Sequence, residues 1–250
     1  MKTLKTMFRP IITGAVAIAA SLCTASAQES PERFININLH LLGGASYVTN
    51  NYVSCFPEVS DINSSMGPAF GAGAEVTCRV GRRFALGTGL NFVRNSRRMD
   101  MAVAGGGKPS VSNVFQRNIY YALEFPIFLR WEVKIAPSVR WNIDGGLYYA
   151  YGTGGKQKNI IYDAKVNDLG QLMMTRTQLD AGYYADDNAF VNSYRRGDLG
   201  LHIATGLTFR SHLTVGVRSH IGFKDVARST GLVNPSAHNI DLMALVGWTF

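Results

Sequence analysis

The chain is poor in charge and cysteine, and has little by way of long apolar runs. Only 17% of its 250 residues are charged, against 46% hydrophobic, a balance that excludes a disordered, self-repelling chain. Of the three cysteines, Cys23 lies in the leader described below. The other two, Cys55 and Cys78, are too few for a disulfide scaffold. No stretch of about 20 apolar residues occurs beyond residue 27, which excludes a bundle of membrane-spanning helices. The formal charge of +8 falls to +5 once the leader cations Lys2, Lys5 and Arg9 are removed. Spread this thinly, it gives no support for a nucleic-acid partner.

What is present begins with that leader. Lys2, Lys5 and Arg9 precede an apolar run over 11–22 and a small-residue exit at Ala25-Ser26-Ala27. The pattern predicts a secretory signal peptide over 1–27, leaving 28–250 as one exported domain. Leu22 is too bulky for the residue before a lipidated cysteine, so Cys23 is not read as a lipoprotein site.

From Phe34 onward the hydrophobic pattern has a period of two, the signature of strands. In one run Ile35, Ile37, Leu39 and Leu41 share a face and Asn36, Asn38 and His40 the other. In the fourth, Tyr121, Leu123, Phe125, Ile127, Leu129 and Trp131 oppose Tyr120, Ala122, Glu124, Pro126, Phe128 and Arg130. Eight such runs of about ten residues match the length of a tilted strand crossing a bilayer. Tight connections at 81–83, 135–137 and 211–212 alternate with long ones around 49–65, 99–115, 153–193 and 225–238. Antiparallel neighbours then place all tight turns at one end, as in outer-membrane barrels with short periplasmic turns. An even strand number puts both chain ends on that side.

Three features turn the apolar face outward. The polar face carries many glycines, among them Gly87, Gly146, Gly200 and Gly216, which suit the crowded inside of a narrow cylinder. Its charges nearly cancel, with Glu75, Glu124, Asp144, Asp198 and Asp241 against Arg79, Arg130, Arg140, Arg210 and Arg218. A lumen out of water requires such pairing. Aromatics bracket the apolar band, with Phe84, Trp131, Trp141, Phe209 and Trp248 at the tight-turn end and Tyr47, Phe92, Tyr121, Tyr149 and Tyr151 at the other. The expected fold is all-β, an eight-stranded antiparallel up-and-down transmembrane β-barrel, with a soluble lipocalin-like barrel as the alternative. Apolar residues at every second position up to Trp248 and Phe250 resemble an outer-membrane assembly signal, read by the barrel-assembly machinery.

The segment Tyr120-Tyr121-Ala122-Leu123-Glu124-Phe125-Pro126-Ile127-Phe128-Leu129-Arg130 resembles the tyrosine–leucine–glutamate–isoleucine–proline–leucine signature of the PorT-like outer-membrane β-barrel family of Bacteroidota. Ala122 is inserted between the tyrosine and the leucine, and Phe125 replaces the isoleucine. The stretches 145–152 and 216–222 look like later strands of that family. The resemblance implies an outer-membrane barrel, and its named member implies support of protein secretion across that membrane.

The candidate lumen network comprises Glu75, Arg79, Glu124, Arg130, Arg140, Asp144, Asp198, His202, Arg218, His220 and Asp241. Glu124 has Arg218, Arg140 or Arg79 as prospective partners, and Pro126 marks an expected bulge. His202, His220 and Asp198 have the donor types for Zn²⁺ but not a tight ligand spacing, so a hydrogen-bond network is the expectation and no cofactor is assigned. His220, Asp225 and Ser229 lack a surrounding nucleophile motif, and no enzyme is expected. Arg94, Arg97 and Arg98 cluster at the outer end of the third run, where cations hold lipopolysaccharide phosphates. In the long connection 153–193, Tyr183, Tyr184 and Phe190 either contact a partner or pack on themselves. The expected role is a structural or interaction barrel meeting outer-membrane lipid, lipopolysaccharide and an envelope partner. A secretion accessory and a small narrow-lumen channel are the alternatives.

Overall fold

The computed structural model describes residues 34–104, 110–185, 193–210, 212–228 and 234–250. The leader 1–27, Phe190 and Ser229 lie outside them. Along the chain come β1 (Ile35–Asn50), the single turn α1 (Tyr52–Cys55), β2 (Val59–Arg79), β3 (Phe84–Ala104), β4 (Ser110–Ala136) and β5 (Val139–Val166). They are followed by β6 (Leu172–Gly182), β7 (Gly197–Phe209), β8 (Leu213–Gly222) and β9 (Ala237–Thr249). No helix among the described residues is long and apolar enough to cross a membrane. The strands do the crossing.

Eight strands close a ring in the order β4-β3-β2-β1-β9-β8-β7-β5, with β5 returning to β4. Every pairing is antiparallel. Following paired residues from Ala150 through Glu124, Asn91, Gly73, His40, Gly247, Thr214 and Thr208 leads back to β5 at Arg140, ten residues from the start. That stagger fixes a strongly tilted wall around an interior that side chains can fill.

The outer wall carries the apolar alternation, with Leu41, Ile127, Leu147, Ile203 and Val246 all exposed. On β4 the band runs from Tyr121, stacked on Phe92, down to Trp131, edge-on to Trp141. Ten residues at about 3.3 Å rise and about 40° tilt span roughly 25 Å, the height of the apolar belt of a membrane barrel. Leu123 pairs with Phe92 and Tyr151 and so sits at the outer girdle. Ile127, opposite Thr88 and Leu147, lies near the middle of the bilayer.

Three local expectations are corrected. The long connections are largely strand: β2 to β5 continue past the outer girdle, and β6 pairs with β5 from Lys156↔Gly182 to Val166↔Leu172. Outside hydrocarbon polar side chains occur on both faces of these extensions, which hides the period. Pro126 makes no bulge. The β3–β4 register is the same on either side of it, and Thr88 Oγ1 donates to its carbonyl at 3.0 Å. The bulge lies instead at Thr153, where Tyr121 faces Gly154 but Ala122 faces Gly152. Arg210 is exposed in the β7–β8 turn at φ 48° and does not reach the lumen.

Glycine's place on the inner face has a steric cause. A Cβ at Gly87 would overlap the Phe128 ring, and one at Gly146 the backbone of Ile127 and Phe128.

Candidate functional site in the barrel lumen

Because inward positions recur every second residue on a tilted wall, side chains distant in sequence meet at common depths. Nearest the tight turns, Glu132 on β4 lies between Arg79 of β2 at 3.1 Å and Arg140 of β5 at 3.3 Å. One step up β4, Arg130 makes a two-pronged contact with Asp144, both bonds 2.7 Å, and reaches Glu75 at 3.4 Å. Such fork-shaped pairs are the strong, directional form of ion pair. His40 bonds Asn91 at 2.8 Å and Asn38 at 3.0 Å, tying β1 to β3.

At mid-depth Arg218 of β8 crosses the lumen to Glu124 of β4 at 2.6 Å, both fully buried. His202 Nδ1 and His220 Nε2 share a hydrogen bond of 2.8 Å. Phe128 packs against His202 and Tyr148 stacks on His220. Beside this layer an apolar patch of Leu42, Ala69, Val93, Met243 and Leu245 fills the rest of the cross-section.

The outer end closes differently. Tyr120 of β4, Tyr183 after β6 and Tyr194 before β7 form a column of parallel rings, with centroids 4.7 and 4.6 Å apart. The Arg97 guanidinium lies over all three, 4.6 to 5.3 Å from their centroids. It donates to Asn239 at 2.7 Å, and Asn239 donates to Asp198 at 2.8 Å. Val48, Tyr52, Met99, Tyr184, Val226, Ala227 and Ala237 complete a buried cluster around them. Burial pushes the hydroxyls of Tyr52 and Tyr184, both beyond the strands' membrane segments, far above the usual tyrosine range. Between this plug and the Glu124 layer lies a cavity of about 30 Å³, room for roughly two waters.

All eleven expected network residues face the lumen or its tight-turn rim. Of the three partners named for Glu124, Arg218 is the one it pairs with; Arg79 and Arg140 go to Glu132. His202 and His220 come together, but Asp198 turns to Tyr148 at 3.2 Å and to Asn239. Asp225 accepts from the Ala227 and Ala237 backbones, each at 2.9 Å, as a loop brace. Arg97 is 1% exposed and inward, so it is withdrawn as a lipopolysaccharide contact. Arg98 is exposed and Arg94 half-buried on the outer wall. Tyr183 and Tyr184 are buried in the plug, so the self-packing reading holds for them. Trp248 and Phe250 are exposed on the outer face.

The sequence reading missed Glu132, Arg97 as an inward group, and Met243 and Leu245. Extending β4's even-numbered series by one step gives Glu132, and Asn91's inward position gives Arg97 six residues on. Met243 and Leu245 follow from inward Asp241 by the same step of two, although β9 is apolar on both faces from Leu242 to Val246 and composition does not mark them.

A closed ring greasy outside, with charges paired across its axis, defines an integral β-barrel of the outer membrane. The chain belongs to the family of the outer membrane protein β-barrel domain, whose model matches residues 26–228. Among solved structures it is similar to OprG from Pseudomonas aeruginosa, 10% identical over 85% of this chain and 95% of that one, TM-score 0.38. Ail, the attachment invasion locus protein of Yersinia pestis, is 10% identical over 86% and 98%, TM-score 0.34. Neisserial surface protein A is 8% identical over 87% and 98%, TM-score 0.32. No curated protein matches the chain.

Proposed function

We propose that this barrel acts through its exterior and its projecting outer strands, as a structural and interaction protein, not as a conduit or an enzyme. The observation that carries the reading is the contrast between a lumen closed at several depths and a β5–β6 hairpin that stands free. Nearly every residue of β6 is exposed, on both faces, and its outer edge pairs with no strand among the described residues. Leu169, Leu172, Met173 and Met174 are exposed at its tip. An open edge with apolar side chains is the form of surface to which a partner adds a strand.

Just beyond the outer girdle, Arg98, Arg117 and Lys158 stand directly opposite one another on β3, β4 and β5, all exposed. Like charges so placed repel. Lipopolysaccharide phosphates would relieve that repulsion, with Arg94 below them as a further contact. In this reading the tight turns and both chain ends are periplasmic and the hairpin extracellular.

The test is affinity capture from native envelope with the full chain and with a Leu172→Ser/Met174→Ser variant. The expected result is an envelope protein held by the first and lost by the second. Secretion components in that fraction would identify the partner implied by the PorT-like resemblance. Steady ohmic steps in planar bilayers would overturn the reading in favour of a channel.

A further inference from the structure

The cavity beneath the tyrosine plug has a floor that the closure of the barrel does not explain. We propose that Glu124, His220 and Asp241 form a binding site for a divalent transition ion of the zinc class.

Four observations support it. First, a carboxylate oxygen of Glu124, Nδ1 of His220 and a carboxylate oxygen of Asp241 lie within 4.8 Å of one another, all three residues buried. Second, His220 is 1% exposed, yet its Nδ1 makes no hydrogen bond. It lies 3.4 Å from Glu124 and 3.6 Å from Asp241. Those separations exceed a good N–H···O bond. They match the edge of a tetrahedron with metal–ligand bonds of about 2.0–2.2 Å, an edge of about 3.3–3.6 Å.

Third, the outer contacts are those of a metal site. The other ring nitrogen of His220 is fixed by His202 at 2.8 Å, and Glu124 is held by Arg218. Metal-bound imidazoles and carboxylates are oriented in this way, and a carboxylate that accepts from arginine keeps lone pairs for an ion. Fourth, the charge fits. Glu124, Asp198 and Asp241 all line the cavity, and Arg218 pairs with Glu124 alone. Asp241 has no arginine or lysine within ion-pair distance among the described residues. Three protein ligands leave a fourth position toward the cavity, which has room for the water that completes zinc's coordination.

The test uses the untagged full chain refolded into detergent micelles with Zn²⁺ present, freed of excess ion and checked for the heat-modifiable folded band. The expected result is one zinc per barrel, with an X-ray absorption spectrum showing one nitrogen donor among oxygens. Asp241→Asn should weaken binding by about tenfold or more, and Asp198→Asn, in the same cavity but outside the trio, should weaken it far less. Substoichiometric zinc in the folded native chain overturns the proposal. Equal affinity in Asp241→Asn, or a spectrum without a nitrogen donor, overturns it too. If Asp241→Asn does not fold, the native stoichiometry and spectrum decide alone.

Discussion

Toward the tight turns the lumen is held by arginines in direct contact with carboxylates, whereas at the mouth Arg97 has no carboxylate within ion-pair distance among the described residues and lies among tyrosine rings. The two arrangements meet different costs. Deep in the barrel an ion pair must repay the loss of water from both partners, so everything depends on neither being left alone. At the mouth a guanidinium spread over ring faces needs no counter-ion, and the rings bring apolar area of their own. The inner layers thus specify alignment, and the outer plug supplies packing.

The sharpest way to break that contrast is to unpair one side of it. Arg218→Ala strands the Glu124 carboxylate and should cost about 3–5 kcal/mol, read as a lower urea midpoint in micelles. Arg218→Met with Glu124→Met should recover much of the loss. On the outer wall, Ile127→Arg should cost roughly 2–4 kcal/mol and Leu123→Arg, at the girdle, about 1 kcal/mol or less. Equal costs would mean the band is misplaced. Arg97→Ala should cost about 1–2 kcal/mol, well below Arg218→Ala, and should leave bilayers non-conducting because the Arg130 and Glu132 layers still close the bore. If Arg97→Ala matches Arg218→Ala, the distinction between the two ends fails. The smallest effect concerns alkali. Burial raises the Tyr52 and Tyr184 hydroxyls, so the folded state holds those protons more tightly than the unfolded chain, where tyrosine titrates near about 10. Their contribution is complete below that value and declines as pH rises past it. The urea midpoint should therefore fall as pH rises above about 10, while the near-ultraviolet circular dichroism of the folded plug holds; a plug signal that titrates near about pH 10, as free tyrosine does, would contradict its burial.

The same contrast governs what could be read before the fold was known. Between Tyr121 and Trp131 the bilayer forces grease and polarity onto opposite faces, and the register of β4 follows from the letters. Above the girdle Gln116, Arg117 and Asn118 are all polar, although Gln116 and Asn118 are buried and Arg117 exposed. The period persists in space while its chemical mark disappears. Arg94, Arg97 and Arg98 looked alike by proximity, yet parity separates them. The floor of the cavity assembles Glu124, His220 and Asp241 from three strands, and no spacing in one dimension reports a junction made by curvature.

The link between Arg218 and Glu124 joins residues 94 apart, and that between Arg97 and Asn239 residues 142 apart. Both cross a lumen that is enclosed only when β1 is paired with β9 along Asn38 to Asn50. While that seam is open, water reaches each of these ions. Insertion must therefore either carry a wet core into the bilayer and wring it out at closure, or finish the cylinder before its interior leaves water.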